Sequence, residues 1–191
     1  MHDFYSSQKG VTGWDVAEED LPNKVLTAQA ANRLFLLPDK TIDGVGIYRD
    51  DVAGLVKTLR HHGVDIDFAL AREDRRYLSE YSAVEIVAAI GLAVAGTLTS
   101  DLVKSISLTV WQRARSALGV GSAREEVDAA NVAVRIAEIV RNDQETVIRG
   151  LEVTGPVAEI ESLICQAISD RQPPQLPPEV SDSTGPEDES E

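Results

Sequence analysis

The sequence predicts an α+β fold: a small mixed sheet with a strand–helix–strand unit, a long central apolar helix, a C-terminal hairpin and a final helix. Three observations predict it. Segment 44–70 switches its apolar period from two to helical spacing and back. Segment 83–111, from Ala83 to Trp111, contains 15 uncharged residues in a row between Glu85 and Asp101. Segment 132–153 is rich in β-branched residues on both sides of Asn142 and Asp143, which are turn formers.

Residues 1–40 carry the weakest pattern. Gly10, Gly13 and the acidic run Glu18, Glu19, Asp20 read as loop. TAQAANRL then suits a helix, and LFLL a short strand ended by Pro38. Val45 and Ile47 predict a strand near 44–48. RDDVAGLVKTLRHHG predicts a helix, because Val52, Leu55, Val56 and Leu59 repeat on one face. Asp50 or Asp51 would cap it by accepting from first-turn amides. Gly63 would end it in the left-handed conformation, with Val64 as the apolar contact beyond. VDIDFAL alternates strictly, with Val64, Ile66 and Phe68 on one face and Asp65 and Asp67 on the other, so a strand is expected over 64–70.

The region 73–118 reads as helical, with a break near Ser79–Ser82 and a stop at Gly119 and Gly121. EEVDAA reads as a connector. Strands over 132–141 and 146–153 would pair as a hairpin, although Val132, Ile136, Ile139 and Val140 also fit a helix. Thr154, Gly155 and Pro156 begin the final helix, which buries Val157, Ile160, Ile164 and Ile168. Residues 172–191 are proline-rich and then acidic. They hold too little apolar surface to offset the entropy of ordering, so a disordered tail is expected. The expected organisation is a weakly patterned segment 1–40, an α+β domain over 41–171 and the tail.

The central segment admits two solvents. Trp111 with Arg113 and Arg115 beyond it resembles the flank of a membrane span, and Ala88, Gly91, Ala95 and Thr99 form a small-residue seam. A span needs about 20 apolar residues. Extension past the uncharged run meets Glu85 on one side and Asp101 and Lys104 on the other. A buried helix in a protein core is the expectation, with membrane insertion of 83–111 or an oligomer seam as the alternatives.

Charge and composition narrow the function. The net charge is −14, of which the last 20 residues contribute −6 and residues 1–171 the remaining −8. Such a chain repels phosphate backbones, so no nucleic-acid partner is expected. The single cysteine, Cys165, lies in an apolar run and reads as a core residue. With no secretory leader pattern in MHDFYSSQKG, a cytoplasmic setting is expected.

No constellation with catalytic spacing emerges. Asp65 and Asp67 project to one side of a strand and, with Asp50 or Asp51, could hold a magnesium ion. A solvated strand face is the leading reading. His61 and His62 diverge by about 100° on a helix and cannot share a metal; they suit the negative end of the helix dipole. GVGS at 119–122 follows a helix and lacks the lysine of a phosphate loop. No catalytic residue, metal or cofactor is therefore expected. Two basic clusters remain: Arg72, Arg75 and Arg76, and Arg113 and Arg115 with Arg124. They are the candidate docking residues for another protein. The leading expectation is a non-enzymatic interaction or accessory protein. A membrane-associated component and a metal-dependent enzyme built on Asp65 and Asp67 are its rivals. Self-association is left open.

Overall fold

Strand pairing divides the molecule into a six-stranded and a three-stranded sheet. They are seen in a computed structural model that describes residues 9–28, 32–79, 88–119, 121–141 and 145–171. The large sheet contains β1 (Gly10–Gly13), β2 (Arg33–Leu36), β5 (Ile66–Phe68), β7 (Ala88–Ala95), β8 (Asn131–Arg141) and β9 (Thr146–Pro156), in the order β1-β9-β8-β7-β2-β5. The small sheet is β3 (Lys40–Ile42), β4 (Val45–Arg49) and β6 (Arg75–Leu78). The helices are α1 (Asn23–Leu26), α2 (Val52–His61), α3 (Ser100–Leu118), α4 (Arg124–Ala129) and α5 (Ile160–Arg171). The fold is α+β.

The hairpin forms as its β-branched content predicts, β8 and β9 pairing antiparallel from Asn131 opposite Pro156 to Arg141 opposite Thr146. The α2 helix also follows its pattern, and Val52, Leu55, Val56 and Leu59 are buried. Its end is a Schellman motif: Gly63 at φ +83° donates to the Arg60 carbonyl, and Val64 donates to that of Leu59, both at 3.0 Å. Its start differs. Asp51 stands at the N-cap without a side-chain cap, because its carboxylate binds Arg113 instead.

The strand–helix–strand unit spans the two sheets. β4 pairs with β6 and β3, whereas β5 pairs in parallel with β2. The weakly patterned N-terminal residues belong to the large sheet, with β1 on β9 and β2 between β5 and β7.

The central segment is the main correction. Helix does not run through 73–118: Arg75–Leu78 and Ala88–Ala95 are strands, and the helix begins at Ser100. Ala88–Ala95 is a strand clad on one face by the helices and on the other over its C-terminal half. Ile90, Leu92 and Val94 point to one face, and Ala93 and Ala95 are buried on the other. A strand covered on both sides reads as a continuous apolar run, which is how a buried helix also reads. Thr99 starts α3 by accepting from the Leu102 amide at 3.4 Å. Gly119 at φ +109° ends it. No helix among the described residues is long and apolar enough to cross a membrane. The described part of 83–111 forms a strand and an amphipathic helix, and not one continuous helix. The expected break at 79–82 and residues 83–87 fall largely outside the described residues. EEVDAA lies in α4, a short helix and not an open connector.

The main core lies between one face of the large sheet and α2, α3 and α5. Leu34, Ile66, Leu92, Val132, Val134 and Ile136 from the sheet meet Leu59, Ile106 and Ile164 from the helices, all essentially inaccessible. Each such aliphatic side chain stabilises the fold by roughly 1.5–3 kcal/mol on burial. A smaller cluster covers half of the opposite face, where Leu21, Val25 and Leu26 pack on Phe35, Ala93, Ala95, Ala137 and Ile139.

Candidate docking surfaces

Residues Asp43 and Gly44, at φ +50° and +78°, turn β3 into β4. Two successive positive φ angles match the twist of a hairpin, which is why an Asp-Gly pair sits there. On the other side, β6 lies parallel to β4, with Ile47 opposite Arg76 and Arg49 opposite Leu78.

Side chains alternate across this small sheet. Its inner face presents Tyr48, buried, whose hydroxyl donates to the Leu36 carbonyl at 3.3 Å. Tyr48 also meets Phe68 edge-on at 5.2 Å, and burial pushes its phenol pKa up. Arg75 belongs to this side. It lies over the Phe68 ring at 4.1 Å and donates to the Leu70 carbonyl through Nε at 2.9 Å and Nη2 at 2.6 Å. These contacts clamp the small sheet to the end of β5.

The outer face presents Lys40 and Ile42 from β3, Val45, Ile47 and Arg49 from β4, and Arg76 and Leu78 from β6. Ile42 is 52% exposed and Leu78 46%. Four apolar residues thus share a face with three cations and no acid. Arg76 is held from behind by the carbonyls of Glu73 and Arg75 at 3.1 and 2.8 Å.

The structure separates the arginines that the sequence groups together. Arg72 and Arg76 are exposed on the small-sheet arm, and Arg75 is turned inward. Arg113 is 1% exposed and pairs with Asp51 inside the core, which removes it from any docking face. A helix-face arginine becomes internal because its carboxylate partner, 62 positions away in sequence, is brought to it by α2. Arg115 lies over the Trp111 ring at 5.4 Å, while the Trp111 indole donates to Asp128 at 3.0 Å. Lys40, Ile42 and Arg49 were not expected as docking residues. The alternation from Lys40 through Asp43-Gly44 to Arg49 is the signal that exposes them.

The aspartates considered for metal binding serve protein cations. Asp67 accepts from Lys24 at 2.7 Å and pairs with Arg60 at 2.9 Å, with Arg33 at 3.7 Å. Burial disfavours its ionised form. The hydrogen bonds from Lys24 and the Phe68 amide, with the charges of Lys24 and Arg60, outweigh that and hold the carboxyl below its usual range. Asp65 pairs with Arg33 at 3.4 Å, and Asp50 accepts from Ser79 at 2.5 Å. No group of three His, Cys, Asp or Glu among the described residues could hold a metal ion. His61 and His62 close the C-terminal end of α2 as expected. Cys165 is exposed on α5 and not in the core; the buried stripe of that helix passes through Ile160, Leu163 and Ile164.

Against known proteins, the chain matches no family model, no curated protein and no solved structure.

Proposed function

We propose that this protein is a non-enzymatic interaction or accessory protein that docks a partner protein on the outer face of β3–β4–β6. The observation that carries the reading is the composition of that face. Ile42, Val45, Ile47 and Leu78 form an apolar centre, and Lys40, Arg49 and Arg76 supply only positive charge, on a chain of net charge −14. An apolar patch stripped of acids is costly to leave in water and discriminates by charge among partners. The matching surface is an apolar patch bordered by Asp and Glu on another protein. Arg72 flanks the same arm and extends the positive field.

The test is quantitative affinity purification of the full chain from cells, comparing the unchanged protein with Arg49→Glu/Arg76→Glu. The proposal expects a discrete set of co-purifying proteins, lost in the variant and retained in Lys104→Glu, a surface control on α3. An unchanged set of partners sinks the reading. Retention of the unchanged chain by vesicles containing phosphatidylserine, abolished in the same variant, would replace the protein partner by a membrane surface.

A further inference from the structure

The opposite face of the large sheet holds a second surface, distinct from the small-sheet arm. Among the described residues, only half of it is covered. Where α1 and its approach end, Ala89, Gly91 and Ala133 form the floor of a cleft of about 1210 Å³, with the Leu37 side chain packed against Gly91. One wall is the segment before α1, with Glu18, Glu19 and Asp20. The other is the edge of the small-sheet arm, with Asp39 and Lys40.

Floor and walls differ in chemistry. The floor residues Ala89 and Ala133 are small, and Leu37 beside Gly91 adds apolar surface. Arg135 enters from β8, but Glu152 on β9 holds its Nε at 3.0 Å, so it adds no net charge. The walls then carry four carboxylates against one lysine. Asp20 is partly occupied, since it accepts from the Ala17 amide at 3.1 Å, whereas Glu18 and Glu19 are exposed. The volume exceeds the roughly 300–1,000 Å³ of most small-ligand pockets. A trough of this size with an apolar floor and acidic walls fits a polypeptide segment.

We infer that this cleft binds a segment of a partner protein that is apolar on one side and carries lysine or arginine on the other. The apolar side completes the cover of the sheet, as Leu21, Val25 and Leu26 do further along. The cations meet Glu18, Glu19 and Asp20, whose field also speeds encounter. The occupant is therefore of opposite charge to any partner of the outer face of β3–β4–β6, and Lys40 borders both surfaces.

The experiment places a photocrosslinking phenylalanine analogue at Ala133 in the full chain, irradiates it in cells, and sequences the linked peptide. The inference expects a peptide from another protein in which Lys and Arg outnumber Asp and Glu. It expects Glu18→Lys/Glu19→Lys to lower the yield by about tenfold or more, while Arg49→Glu/Arg76→Glu leaves it unchanged. Failure here is thus distinguishable from failure of the outer-face reading. An adduct at twice the chain mass, an acidic linked peptide, a yield indifferent to the charge reversal, or no adduct overturns it. Circular dichroism of each variant separates lost binding from lost folding.

Discussion

At Ala93, Ala95, Ala137 and Ile139 the outer face of the large sheet lies under Leu21, Val25 and Leu26, whereas on β7 and β8, four residues nearer their starts, Ala89 and Ala133 line an open cleft. On β7 the strand residues hardly differ, Ala or Gly at both ends. What differs is the cover. The segment leading into α1 brings apolar anchors to one end and three successive acids to the other. A sheet face becomes core or surface according to what reaches it, and the strand's own composition does not say which.

Substitutions break this comparison by graded amounts. Ile136→Ala, on the helix-covered side of β8, is expected to cost about 3–4 kcal/mol, because the residue is inaccessible and its neighbours are interlocked. Urea denaturation measures this as a fall in midpoint at constant slope. Gly150→Ala comes next, at about 2–3 kcal/mol. A Cβ there would lie 1.8 Å from the Trp14 carbonyl oxygen, so the segment that covers the outer face must shift. The same variant should raise hydrogen exchange selectively at Trp14, whose amide donates to the Gly150 carbonyl at 3.2 Å.

Asp67→Asn is smaller, about 1–2 kcal/mol at neutral pH. The native carboxyl titrates below its unfolded value, so its contribution is complete above the unfolded pKa and is lost as pH falls through the folded one. The gap in stability between the unchanged protein and the variant should therefore be constant above about pH 5 and close on further acidification. A gap that widens in acid would contradict the ion-pair assignment. Ala133→Ser, on the bare floor, should change stability by less than about 0.5 kcal/mol.

The residues that were legible from sequence are those whose pattern admits one reading. Val52 to Leu59 repeat at helical spacing, Gly63 supplies the left-handed stop, and the β-branched run after Asn131 makes the hairpin. Ala88–Ala95 was not legible as a strand. Its small residues also lie at helical steps, and neither face of the strand carries a polar residue that would show alternation. The alternation of size was present all the same, in Ile90, Leu92 and Val94 between Ala89, Gly91, Ala93 and Ala95. Arg113 and Cys165 exchanged places with expectation. A guanidinium becomes internal only when a distant carboxylate arrives, and the thiol sits off a stripe that Leu163 and Ile164 already fill. The docking face needed the β4–β6 pairing, a contact across α2 and β5 that local periodicity does not encode. The cleft needed the N-terminal segment placed on the sheet.

The most direct measurement is the rate of thiol labelling of Ala133→Cys and of Ala137→Cys, each made with Cys165→Ser. Both positions lie on β8 and point to the same face, one toward the cleft and one beneath the α1 cover. The account predicts prompt labelling at 133 and labelling at 137 slower by about 100-fold or more, gated by local opening. Comparable rates at the two positions would contradict it, because the outer face would then be either covered or open along its whole length.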